Sequence, residues 1–196
     1  MLSGFFETDS YFIDEKVNMF KFENSYQVYN DIGVNIGVVA QKMSAGDKAL
    51  RLLLNKSMLP FLLEIRNADG GLEASLRRGW TFWMSKITIT DKDGHPIGYI
   101  KQKFKLLKPT FLIYDTNDTL VGKISGDWKA WNFKITDDND NQIGAISKKW
   151  AGAVKEIFTS ADKYNVTINP DYPENKNKMI ILAGAITIDM VLKEKK

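Results

Sequence analysis

Ile87-Thr-Ile-Thr-Asp-Lys-Asp-Gly94, Phe111-Leu-Ile-Tyr-Asp-Thr-Asn-Asp118 and Phe133-Lys-Ile-Thr-Asp-Asp-Asn-Asp140 repeat one pattern: β-prone residues running into an Asp-rich turn. After each turn a second short run carries a glycine: Ile97-Gly-Tyr-Ile100, Val121-Gly-Lys-Ile124 and Ile143-Gly-Ala-Ile146. A run, a tight turn and a returning run make a β-hairpin. An earlier copy reads Leu63-Glu-Ile-Arg-Asn-Ala-Asp-Gly70, and Trp80, Phe104, Trp128 and Trp150 follow the copies at comparable offsets. The sequence therefore predicts four hairpins in tandem. Alternation in Ile87-Thr-Ile-Thr90 gives the strand one apolar and one polar face.

Further strands are expected upstream at Tyr11–Ile13, Met19–Phe22, Tyr26–Tyr29 and Gly37–Gln41, with a short helix over Asp47–Asn55 that Asp47 would cap. So many short strands must manage their edges, and closing the sheet into a barrel removes them. Downstream, Met179-Ile-Ile-Leu-Ala-Gly-Ala-Ile-Thr-Ile-Asp-Met-Val-Leu192 is apolar on nearly every face. A helix of that kind is surrounded either by lipid or by protein. Its 14 apolar-rich residues contain Thr187 and Asp189, whereas a bilayer span takes roughly 20, so the core of the barrel is the favoured place. The expected fold is mainly β: a closed β-barrel of about 12 strands, built from hairpin repeats around a central buried helix at about 178–192, as a single domain over 1–196.

Composition narrows the function classes. With 44% hydrophobic and 12% aromatic residues the 196-residue chain is globular, long enough to bury a core. It has no Cys, which excludes disulfides, thiolate nucleophiles, thiolate zinc sites and S-acylation, and fits a reducing compartment. The start Met1-Leu-Ser-Gly-Phe-Phe-Glu-Thr-Asp-Ser10 has no basic or apolar leader pattern, which leads to an expected cytoplasmic location. Net charge is only +3, from 27 basic and 24 acidic residues, so nucleic acid is not an expected partner and any electrostatic contact must be local.

The Asp-rich turns are read as turns. A calcium loop opening at Asp137 would need Gly at Gln142 and Glu at Lys148, and one opening at Asp91 would place Gln102 at its twelfth position. His95, the only histidine, stands in the turn Asp93-Gly-His-Pro96, and no nucleophile motif surrounds any Ser. No Gly-rich phosphate loop or zinc-helix motif is present either. No catalytic residue, metal or cofactor is assigned, and a non-enzymatic protein is expected.

The strongest electrostatic signal is Lys101-Gln-Lys-Phe-Lys-Leu-Leu-Lys108, in which period-two spacing puts Lys101, Lys103 and Lys105 on one strand face, with Lys108 beyond. Arg77 and Arg78 beside Trp80, Phe82 and Trp83 form a second group of the same type. Cations beside aromatic rings suit an anionic lipid surface, and each Lys or Arg near such a surface is worth about 1 kcal/mol. Against this stands the solvated outer face of a barrel, where lysines protect edges and aid solubility.

Five strings occur in the order shown by the phospholipid scramblase family, within a wider group that includes tubby-like and LURP-one-related proteins: Pro96-Ile-Gly-Tyr-Ile100, Lys123-Ile-Ser-Gly126, Ile143–Trp150 with Gly152, Phe158-Thr159 with Ala161-Asp162, and Ala183-Gly-Ala-Ile-Thr-Ile-Asp189. The chain resembles that family over about residues 45 to 192. The resemblance implies a 12-stranded barrel around a hydrophobic C-terminal helix, in agreement with the reading from periodicity, and implies phospholipid handling. The expected partner is then an anionic phospholipid surface, bound peripherally by Lys101, Lys103, Lys105, Lys108, Arg77 and Arg78 at the inner face of the membrane, with movement of lipid between leaflets as the wider activity. The alternative is a binding or scaffold module without enzymatic activity that takes a small ligand, a protein or nucleic acid. Eukaryotic members carry a Pro-rich segment, a Cys-rich palmitoylation stretch and an acidic calcium loop; here the first two are lacking, and the loop's counterpart, Ser160–Asp171, keeps Asp162 and Asp171 but has Ser160 at the first acidic position and Lys163 inside it.

Overall fold

Each tight turn is closed by the side chain that opens it. Asp91 Oδ1 accepts from the backbone N–H of Asp93 and His95, Asp115 Oδ1 from Asn117 and Thr119, and Asp137 Oδ1 from Asn139 and Asn141. Asn30 and Asn67 do the same for Val34 and Gly71. Three residues later the backbone turns left-handed, at Gly33, Gly70 and Gly94 and, with an aspartate tolerated in the same role, at Asp118 and Asp140. This is a type I turn followed by a left-handed bulge residue, and it explains why Asp, Asn and Gly recur there without a metal.

The computed structural model describes residues 4–16, 25–42, 46, 59–80, 86–103, 109–127, 129–148 and 163–193. A short 3-10 turn at Gly4–Phe6 precedes β1 (Ser10–Lys16), β2 (Ser25–Tyr29), β3 (Asn35–Lys42), β4 (Phe61–Asn67), β5 (Leu72–Arg78) and β6 (Lys86–Asp91). Then come β7 (Pro96–Lys103), β8 (Thr110–Asp115), β9 (Leu120–Asp127), β10 (Asn132–Thr136), β11 (Gln142–Ser147) and β12 (Lys163–Ile168). Every strand pairs antiparallel with the next, and β1 pairs with β12, so the 12 strands close into a barrel. The barrel, its hairpin construction and its strand number are as expected. The strand expected at Met19–Phe22 and the helix expected at Asp47–Asn55 lie outside the described residues.

The repeat is more extensive than four hairpins. In β2–β3, β4–β5, β6–β7, β8–β9 and β10–β11 the register shifts by one residue beside the turn, after the pairs Val28–Gly37, Ile65–Ala74, Ile89–Gly98, Ile113–Gly122 and Ile135–Gly144. The glycine, or Ala74 in its place, thus recurs opposite a branched apolar residue on the inner face.

At Gly98 and Gly122 the small residue makes room for the chain that fills the barrel, whereas a Cβ on Gly37 or Gly144 would strike the backbone of the neighbouring strand, at Arg66 and Thr167. Helix α1 (Lys176–Ile186), capped by Asn175 whose side chain accepts from the N–H of Asn177 and Lys178, and helix α2 (Ile188–Lys193) run through the interior. Ile180, Ile181, Leu182 and Ala183 are fully buried, and Ile186, Ile188 and Val191 nearly so. A Cβ on Gly98 would stand 2.4 Å from the carbonyl oxygen of Tyr114 and 3.0 Å from Ile180, and one on Gly122 would meet Ile181 at 3.0 Å. On the helix side, Gly184 gives the same close approach to Ile100. Apolar burial on every face, at roughly 1.5–3 kcal/mol per fully buried Ile or Leu, places the helix in the core.

The helix is not continuous over 178–192. It breaks at Thr187, whose φ of −95° and ψ of 1° leave the helical region and whose buried hydroxyl donates to the carbonyls of Ala183 and Gly184. A threonine that bonds back to the preceding turn competes with the helical ladder and bends it. Polar groups that the helix carries into the core are satisfied locally. Tyr26 donates to Asp189 Oδ2 at 2.7 Å, Tyr164 donates to the carbonyl of Ile186, and Lys178 binds Asp9 at 3.0 Å and also Glu174. Burial works against the Lys178 ammonium, but the hydrogen bonds to Glu174 and Asp9 outweigh it and hold its pKa above the ordinary lysine value.

Candidate functional site

Strand alternation decides which of the expected cations reach the surface. On β7 the inward positions are Gly98, Ile100 and Gln102, so Tyr99, Lys101 and Lys103 point outward, and both lysines are exposed. On β5 Leu76 is buried and Arg77 is exposed. Arg78 therefore faces inward, where it is 1% exposed, donates from Nη2 to the carbonyl of Leu59 at 2.7 Å and stacks its guanidinium 4.6 Å from the ring centroid of Phe61. It supports the wall of the barrel and is removed from the lipid-contact set. Lys105 and Lys108 lie outside the described residues.

Register adds a residue that the expected set omitted. Lys86, first on β6, stands directly opposite Lys101 on β7, and Lys101 stands opposite Leu112 on β8. One step along the barrel, Thr88, Tyr99 and Tyr114 form the neighbouring outer row, and Arg77 stands opposite Thr88. Tyr99 and Tyr114 stack with centroids 5.0 Å apart and planes at 16°. The Lys86 ammonium lies 3.9 Å from the Tyr99 centroid, and the Lys101 ammonium lies 5.2 Å from the centroids of both rings. Although Tyr99 is on the outer face it is only 5% exposed, because these side chains cover it. Its hydroxyl donates to Asp118 Oδ1 at 2.6 Å, and that bond, with desolvation and the charge of Asp118, pushes its pKa up to about 12.

Two like charges directly opposite on a sheet destabilise it by up to about 1 kcal/mol. Among the described residues neither Lys86 nor Lys101 is paired with a carboxylate. What holds them is the π-face of the tyrosine pair, worth about 0.5–1 kcal/mol per cation at an exposed site. Nearby lysines are spent internally: Lys123, in the same outer row, binds Asp140 at 2.5 Å, and Lys42 lies 3.9 Å from Glu64. The signal that could have found Lys86 was its place immediately before Ile87, since alternation across a hairpin sets it facing Lys101.

Of the calcium candidates, Asp162 is outside the described residues and Asp171 is exposed after β12. Asp91, Asp93 and His95 have ligand atoms within 4.8 Å of one another. They lie in one exposed turn, and Asp91 Oδ1 is already the acceptor that shapes it.

A 12-stranded closed barrel with an apolar helix inside it is the architecture that the resemblance implied. The scramblase family model matches residues 13–195, nearly the whole chain. The chain belongs to the scramblase family. No curated protein and no solved structure matches it. Family membership gives the protein a lipid-related function of the scramblase kind in general, in a family and fold not known for enzymes. The matched span includes Arg77, Lys86, Lys101, Lys103 and the tyrosine pair. Among the described residues no helix is long and apolar enough to cross a membrane.

Proposed function

We propose that this scramblase-family barrel binds the anionic phospholipid surface of a membrane peripherally, through the outer face of β5–β7 formed by Arg77, Lys86, Lys101 and Lys103. The observation that carries the reading is the opposed pair Lys86–Lys101, held on the Tyr99–Tyr114 stack without a carboxylate among the described residues. A sheet that tolerates this repulsion gains from an external anion, and phosphate headgroups supply one. The cytoplasmic leaflet, the more anionic one, is the surface that fits.

Surface binding comes before lipid movement in this reading. Headgroups crossing between leaflets need a polar path through hydrocarbon, whereas the described interior is filled by apolar helix. The same filling disfavours a small ligand held inside the barrel. Co-sedimentation with phosphatidylcholine vesicles, with and without phosphatidylserine, at low and high salt tests the proposal. Binding should require the anionic lipid and fall as salt screens the lysines, because exposed charges are screened within about 8 Å at physiological ionic strength. Absence of binding under all four conditions overturns it.

A further inference from the structure

We infer that the barrel meets that anionic surface end-on, with the end at which Arg77, Lys86 and Lys103 lie facing the membrane and the turn end facing away; this rests on the lipid-surface reading above. The observation is a separation of charge along the barrel axis. All five bulged turns lie at one end, where Asp31, Asp69, Asp93, Asp118 and Asp138 are exposed and Asp140 is exposed but bound by Lys123, against the exposed cations Lys92 in a turn and Lys176 at the start of α1. At the opposite strand ends stand Arg77, Lys86, Lys101 and Lys103, with Lys129 and Lys148 beside Asp127 and Ser147. Asp127, the exposed acid there among the described residues, is turned back on its own loop, accepting from the N–H of Lys129 and Ala130.

Distance decides that this separation matters. Strands of 5 to 8 residues at about 3.3 Å per residue, tilted by about 40° as barrel closure requires, make a barrel roughly 17 Å long, about twice the Debye length of about 8 Å. With the basic end down, the acidic rim is screened from the lipid phosphates; with the rim down, its repulsion is felt in full. An aromatic anchor lies at the same end: Trp80, two residues beyond Arg78, is 54% exposed, and indole rings prefer the headgroup layer. Ile32 and Val34 are exposed at the turn end beside Asp31, so apolar exposure alone does not orient the barrel, and charge does.

The chain has no Cys, so single labels are unambiguous. Gly79→Cys places a spin label at the basic end, where an added Cβ meets nothing within 4 Å, and Thr116→Cys places one in an exposed turn at the other end. On phosphatidylcholine vesicles containing phosphatidylserine, collision of the Gly79 label with a water-soluble relaxant should fall several-fold while the Thr116 label is unchanged. Equal shielding of both labels, or shielding of Thr116 alone, on vesicles that do bind overturns the orientation and leaves the lipid reading standing. Failure to bind vesicles overturns both. As a second arm, Asp93→Asn with Asp138→Asn should leave binding within twofold, while Trp80→Ala should weaken it several-fold; strengthening by the Asn pair that exceeds tenfold would mean that the rim lies at the lipid and would also overturn the orientation.

Discussion

Lys86 and Lys101 face each other across β6 and β7 with both ammonium groups on the ring of Tyr99, the closer at 3.9 Å and the other at 5.2 Å. Function and stability pull in opposite directions at such a pair. Lys101→Glu replaces a repulsion with a cross-strand ion pair and gives up the two longer cation–π contacts, to Tyr99 and Tyr114 at 5.2 Å, while Lys86 keeps its own at 3.9 Å, so folding stability should stay level or rise by up to about 1 kcal/mol. In a domain of this size that is a rise in Tm of about 2–4 °C. Binding to anionic vesicles should fall about 30-fold at low salt, since reversing one charge removes about 2 kcal/mol of attraction. Thermal melts and co-sedimentation on the same preparation check both. A variant that loses stability while keeping its lipid affinity would make the pair structural.

The strand glycines should differ in what an added methyl does. At Gly98 the new Cβ meets a backbone oxygen, Tyr114 O at 2.4 Å, which moves only if β8 moves. At Gly122 the first contacts are Ile181 side-chain atoms at 3.0 and 3.1 Å, which can give way. Overpacking costs typically about 1–3 kcal/mol. Gly98→Ala should fall at or beyond the top of that range and Gly122→Ala near the bottom, as read from urea midpoints of the two variants at constant m-value.

Much of this was legible in the chain, for physical reasons that also mark the limit. Turn chemistry is local, so Asp91, Asp115 and Asp137 announced their hairpins, and the all-round apolarity of Met179–Leu192 announced a buried helix. The hairpin β2–β3 is harder to see as a repeat because Ile32 stands at the third turn position, where the other four copies carry Asp or Asn, and Ala74 blurs the small-residue position in β5. Arg78 was assigned outward beside Arg77, although alternation from Leu76 sends one in and the other out. The platform under Lys86 and Lys101 depends on cross-strand register, which a one-residue bulge sets beside each turn, and that shift is not written in any single strand.

Inside the barrel, Tyr26 and Asp189 join β2 to the second helix by a 2.7 Å bond between residues 163 apart in sequence. A buried hydrogen bond to a charged acceptor contributes about 1.5–3 kcal/mol. Tyr26→Phe should therefore lower Tm by roughly 3–12 °C while leaving vesicle binding unchanged, since neither partner reaches the outer wall. Differential scanning calorimetry measures the first and co-sedimentation the second; an unchanged Tm would show that the bond adds nothing to the attachment of the helix.

Tyr99 ties the lipid-contact face to the acidic turns, because its hydroxyl donates to Asp118 in the β8–β9 turn while its ring carries Lys86 and Lys101. The bond favours the neutral phenol and pushes the pKa up to about 12 from 10.0. A pKa raised by folding means that the contribution to stability is fully present below pH 10 and is lost as the pH climbs from about 10 to about 12. Asp118→Ala removes the acceptor, so in a tyrosinate absorbance titration the variant should show one more phenol ionising near pH 10 than the parent chain. Near neutral pH the ring stays stacked on Tyr114 in either case, so vesicle binding should change less than twofold, whereas Tyr99→Leu, which deletes the platform, should weaken it several-fold. Superimposable titration curves for parent and Asp118→Ala would show that the hydrogen bond does not hold the phenol, and equal binding by Tyr99→Leu would show that the lysines need no ring beneath them.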